Sequence, residues 1–180
     1  MSLEIERKFL VASDGWRPAV HSTVRIADHL IAQFDGGKIR VRFCRQSSTL
    51  TIKGARRGLV RSEYHIRLSD TDAEAMIGEF SDGPALEKRR HEVDVHGLCW
   101  QVDEYEGPLR GLVTADVELP DADFPVAIPD WAGPEITGDV TFASRRLADA
   151  IAAGPVAVSG VLDTYRTMTH LQASKGFRQV

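Results

Sequence analysis

Leu3-Glu4-Ile5-Glu6-Arg7-Lys8-Phe9-Leu10-Val11 is the stretch whose reading decides the fold. Successive side chains of a β-strand point to opposite faces, so residues two apart share one. Glu4, Glu6 and Lys8 therefore stand on one face and Leu3, Ile5 and Phe9 on the other, with Arg7 as the exception. The strand has one ionic face and one apolar face.

The inversion recurs along the chain. Period-two alternation predicts strands over 38–45, 48–53, 61–68, 86–95, 99–105 and 113–119, separated by turn signals such as Asp35-Gly36-Gly37, Ser81-Asp82-Gly83-Pro84 and His96-Gly97. Spacings this short suit hairpins and a mainly antiparallel sheet. Arg40 and Arg42, Thr51 and Lys53, Arg61, Glu63, His65 and Arg67, Lys88 and Arg90, and Asp116 and Glu118 each fall on one face of their strand. A half-solvated sheet explains any single strand of this kind. A solvated face, however, mixes Ser, Thr, Gln, Lys and Glu, whereas here arginines and carboxylates come as like-charge neighbours that call for a ligand or counter-ion between them.

Carboxylates one strand-step apart, Glu4, Glu6, Asp116 and Glu118, are donors of the type that Mg²⁺ and Mn²⁺ prefer. Paired arginines suit phosphate, because each guanidinium makes two parallel hydrogen bonds to one phosphoryl group, while lysine acts as a point charge. Closing about eight twisted strands with ionic groups inward brings both sets around one cavity. The expectation is an α+β chain: an eight-stranded antiparallel β-barrel with a few flanking helices.

Helical periodicity is sparser. It predicts Asp70–Phe80, with Ala73, Met76, Ile77 and Phe80 on one face, then Ser144–Ala153 stopped by Gly154-Pro155, and a third helix over Val161–Ala173 before a polar tail. Pro120 to Pro134 reads as an ordered connection anchored by Phe124, Ile128 and Trp131. Residues 1–180 are expected to form one domain, with the barrel over about 3–150 and the last helix and tail over about 155–180. The net charge of −4, from 22 Lys+Arg against 26 Asp+Glu, gives no overall basic field for nucleic acid or an anionic membrane. No apolar run nears bilayer length and Met1-Ser2-Leu3-Glu4 opens no leader pattern, so the cytoplasm is expected. Cys44 and Cys99 match no metal spacing and read as free thiols.

Glu4-Ile5-Glu6-Arg7-Lys8 resembles the E-x-E-x-K signature of the CYTH proteins, or triphosphate tunnel metalloenzymes, and further motifs follow in order. They are Arg40-x-Arg42, Thr51-Ile52-Lys53-Gly54, Arg61-x-Glu63-Tyr64, Lys88-x-Arg90, Asp103 leading to Gly107, Asp116-Val117-Glu118 and Glu135-Ile136-Thr137-Gly138-Asp139. The resemblance implies an eight-stranded tunnel barrel and a triphosphatase needing one or two Mg²⁺ or Mn²⁺ ions. It implies that Glu4, Glu6, Asp116 and Glu118 hold metal, that Lys8, Arg40, Arg42, Lys53, Arg61, Lys88 and Arg90 contact phosphate, and that Glu63 and Glu135 are supporting acids. Three departures bear on substrate choice: Ala27-Asp28-His29-Leu30 replaces a Gln-Gly-Tyr-Leu pattern, His65 takes a place often held by Glu, and Phe142-Ala143-Ser144-Arg145 lacks the usual Tyr and Asn.

The implied reaction is in-line attack of water on a terminal phosphoryl group. Its general base is left open between a lysine of depressed pKa, with Lys8, Lys53 and Lys88 as the catalytic candidates, and a carboxylate acting through water. The expected partner is a triphosphate-containing small molecule, without nucleic acid or membrane, bound by a monomer or homodimer. The rivals are adenylyl cyclase or thiamine triphosphatase chemistry on the same scaffold, and a non-catalytic polyphosphate or nucleotide binder.

Overall fold

The computed structural model describes residues 3–44 and 47–176. Its strands are β1 (Leu3–Val11), β2 (Val20–Phe34), β3 (Gly37–Cys44), β4 (Ser47–Lys53), β5 (Val60–Leu68), β6 (Leu86–Val95), β7 (Leu98–Tyr105), β8 (Val113–Glu118) and β9 (Ala132–Glu135). They hydrogen-bond in the order β5-β4-β3-β2-β6-β7-β8-β1-β9, and a further β1–β5 pairing closes the first eight into an antiparallel barrel. β1 is the closing strand. Glu4 pairs with Arg61 of β5 on one edge, while Glu6 and Lys8 pair with Glu118 and Asp116 of β8 on the other. Phe9 pairs with both Ala115 of β8 and Glu135 of β9, so β9 takes up the edge of β1 beyond β5.

The expected strands all form, and β2 is an addition. Its fifteen residues escape a period-two reading because its pairings shift register between Val20 and Ser22 and again between Leu30 and Ala32. Each bulge inserts a residue and switches the face that carries the polar side chains. The long connection before Glu135 also ends in a short strand, β9, where a connection alone was expected.

Three helices cover the outside. α1 (Asp70–Phe80) starts where the Ser69 hydroxyl accepts the Asp72 amide at 3.1 Å, and it packs over β2, β3 and β4 with Ala73 buried and Phe80 exposed. α2 (Ser144–Ala153) ends at Gly154, whose φ of 97° suits a residue without a Cβ. Pro155 then opens α3 (Pro155–Gly176), which is longer at its start than the expected Val161 because proline is preorganised for a first helical position. The part of the expected tail over 177–180 lies outside the described residues. Among the described residues no helix is long and apolar enough to cross a membrane.

The apolar core sits outside the barrel wall. One cluster, including Leu10, Leu112, Phe142, Leu147 and Val158, lies against α2 and α3. A second gathers Phe9, Val93, Trp100, Val117 and Trp131, with Phe124 packed against it, whereas Ile128 remains exposed. Each large side chain removed from water here contributes about 1.5–3 kcal/mol. With the oily faces outward, the inward faces are left to the ionic residues.

Candidate functional site

Period-two geometry sends Glu4, Glu6 and Lys8 of β1, Arg40 and Arg42 of β3, Lys53 of β4, Glu63 of β5, Lys88 and Arg90 of β6, and Asp116 and Glu118 of β8 into one cavity of about 240 Å³. Of the residues picked out by sequence, two lie elsewhere. Arg61 reaches inward from beside this lining, its guanidinium hydrogen-bonded to Glu4 and, at 2.5 Å, to Glu6. Glu135 stands outside the cavity on β9, where it binds Arg7 at 2.6 Å and accepts the Thr137 hydroxyl at 2.7 Å. The Arg7 that broke the alternation of β1 is thus the outer half of a β1–β9 clamp.

Three ionic groups in or against the cavity lie outside the metal- and phosphate-binding set that the motifs imply. Asp28, on the unexpected β2, accepts both Arg42 nitrogens at 2.7 and 2.9 Å and Arg40 at 3.2 Å, with Lys88 3.7 Å away. Asp103, wholly buried on β7, accepts Lys88 at 2.5 Å and Arg90 through two bonds of 2.7 Å. The like-charge arginine pairs are therefore separated by built-in carboxylates. Lys38, one strand-step before Arg40, also lines the cavity, and its period-two relation to Arg40 and Arg42 was the signal that could have found it.

The lysines differ in environment. Burial acts to discharge Lys8, but Asp116 at 3.1 Å, together with Tyr105, Asp103 and Glu6, outweighs it and holds the ammonium above its ordinary range. At Lys88 burial dominates, aided by Arg90 and Arg42 against Asp103 and Asp28, and the pKa falls to about 8. Burial also raises the Tyr105 hydroxyl to about 12, so it remains a neutral donor.

The acids divide into paired and crowded. Lys53 bonds Glu4 and lies 3.0 Å from Glu63, and Glu6 is held by Arg56 and Arg61. Glu118 makes no side-chain hydrogen bond or ion pair among the described residues; burial raises its pKa, and the neighbouring Glu4, Glu63 and Glu6 raise it further. An all-oxygen donor set whose members repel one another fits a hard divalent cation.

Sequence comparison places this geometry in context. The CYTH domain profile matches residues 2–140. The inorganic triphosphatase of Acetivibrio thermocellus is 34% identical over 148 residues, covering 82% of this chain and 94% of that protein. The inorganic triphosphatase of Nitrosomonas europaea is 32% identical over 153 residues, covering 82% and 98%. A crystal structure of an inorganic triphosphatase superposes with a TM-score of 0.56 at 29% identity, covering 82% of this chain and 95% of the other.

Proposed function

The chain belongs to the CYTH domain family, and we propose that it hydrolyses a linear inorganic triphosphate held inside the barrel, with a divalent cation as cofactor. The observation that carries this reading is that cations from β1, β3, β4 and β6 and carboxylates from β1, β2, β5 and β8 face one cavity, with Glu118 crowded by Glu4, Glu63 and Glu6. A simple anion binder gains nothing from acids facing its ligand, whereas an anion–metal complex needs both. Leu86, Tyr105 and Phe142 are the only apolar-bodied side chains lining the cavity among the described residues. That favours a bare phosphate chain over thiamine triphosphate or ATP.

In this reading Arg40, Arg42 and Arg90 orient the phosphates with guanidinium forks, and Lys8, held charged by Asp116, supplies a fixed point charge. Arg61 and Lys53 hold Glu4, and Glu63 braces Lys53, so the acids keep their places. One or two Mg²⁺ or Mn²⁺ ions would be held by Glu4, Glu6, Asp116 and Glu118, and when bound would neutralise phosphate charge and acidify a water. Lys88 is suited to accept the proton of the attacking water, because its ordinary proton affinity has been brought to about 8 by burial.

The base must be neutral to accept a proton, and neutral Lys88 predominates above pH 8. The pH profile of kcat/KM is therefore expected to rise through about 8 to a plateau. Lys88→Arg, charged at every pH, should lose kcat with little change in KM. A profile that falls above pH 8 would show instead that Lys88 acts through its charge.

Phosphate release across tripolyphosphate, pyrophosphate, ATP and thiamine triphosphate, each with Mg²⁺ and with Mn²⁺, tests the assignment. Tripolyphosphate is expected to give the highest kcat/KM. Preference for ATP with cyclic AMP as product, or turnover of thiamine triphosphate alone, would replace the reading by one of its rivals, and binding without turnover would leave a binding module.

A further inference from the structure

Each phosphate-contacting cation proposed above already has an acid. Lys8 has Asp116, Arg40 and Arg42 have Asp28, Lys53 has Glu4 and Glu63, and Lys88 and Arg90 have Asp103. Lys38 breaks the rule. It pairs across β3 and β4 with another cation, Lys53, and has no carboxylate within ion-pair distance among the described residues. Its Nζ donates instead to the Ser144 hydroxyl at 2.6 Å, at the first turn of α2. Both residues line the cavity beside Arg40.

A lysine in such a place is costly without a compensating anion. Burial first, then Arg40, Arg61, Lys53 and Lys8, all lower its affinity for a proton. The fold holds a cation site whose counter-ion the protein does not supply, while supplying one for each of the others.

We propose that Lys38, resting on Ser144, is a substrate-binding residue whose ammonium group pairs with a phosphate oxygen of the bound triphosphate. It completes a cation triplet, Lys38, Arg40 and Arg42, along the inner face of β3. On binding, Lys38 leaves the neutral hydroxyl for the anion, whose negative charge offsets the cations crowded around it. The inference rests on the triphosphate reading, but it is separable from it.

The experiment is calorimetric titration of the full chain with tripolyphosphate, without metal and at pH 8, alongside steady-state hydrolysis with Mg²⁺. Lys38→Met is expected to weaken binding and raise KM roughly tenfold or more, the loss expected for a charged hydrogen bond, with kcat much less affected. Lys38→Arg should recover most of the affinity. A Lys38→Met protein with parental affinity and KM overturns the proposal. So does one whose thermal stability changes while those readings do not, since Lys38 would then be structural. Should the parent bind tripolyphosphate without hydrolysing it, the hydrolytic reading fails while the comparison of affinities still decides the role of Lys38. If the parent does not bind it at all, both fall.

Discussion

Glu6→Gln is expected to slow phosphate release from tripolyphosphate by about 10²–10³-fold while leaving metal-free binding of the anion intact or tighter. The substitution preserves size and hydrogen-bonding capacity but removes the charge that a hard cation requires. Glu6 also neutralises Arg56 and Arg61, so its loss leaves two guanidinium groups less satisfied and the cavity more positive. Chelating divalent cations from the parent should reproduce the kinetic loss without the gain in affinity. Titration calorimetry with and without Mg²⁺, paired with release rates, separates the effects. Undiminished turnover in Glu6→Gln, or in the parent after chelation, would remove the carboxylates of β1 from metal binding.

Asp103→Ala should be the most destabilising change in the barrel, by about 3–5 kcal/mol, because it strands two cations that share one buried carboxylate. Asp103 has no solvent exposure, and its bonds to Lys88 and Arg90 span 2.5–2.7 Å. Burial alone would favour the neutral acid, but Arg90 and Lys88 outweigh it and hold the pKa far below the ordinary 3.8. A depressed carboxylate stabilises the fold fully above its unfolded pKa, and that contribution drains away as pH falls below about 3.8. Urea denaturation of parent and variant at pH 7 and pH 3 should therefore show a gap that narrows in acid. Added tripolyphosphate should restore part of the lost stability at pH 7, since the anion takes the place of the missing counter-ion. A variant within 1 kcal/mol of the parent would contradict the assignment of Asp103 as a buried counter-ion.

These two residues mark what the sequence could and could not say. Glu6 was legible because residues 3–9 of β1 alternate, Arg7 apart, and Glu4, Glu6 and Lys8 share one face. The same alternation located Arg40, Arg42, Lys53, Lys88, Arg90 and Asp116, whose side chains meet in one cavity. Asp103 stood in a recognised strand, but a single aspartate between Gln101 and Tyr105 carries no signal of its charge partners, which come from β6. Asp28 was hidden more deeply, since the bulges that let β2 bend around the barrel also erase the periodicity by which a strand is recognised. Glu135 shows the converse: a motif gives an acid's place in the chain, while only the edge pairing of β9 puts it outside the wall.

The twofold attachment of β1 also sets a timetable. β1 needs partners that follow it in the chain, at 60–62 and at 114–118, so the barrel cannot close before the chain has grown past residue 118. At about 5–20 residues per second, ribosomal synthesis leaves β1 without its β8 partner for roughly 5–20 s. Carboxylates and arginines converge only at that closure, and a nascent chain exposes separate charged ribbons in place of a polyphosphate trap. Contacts this distant in sequence also slow refolding. The site is thus switched on by the last long-range pairing of the barrel, and a chain stalled before β8 carries most of its ligands without the ability to use them.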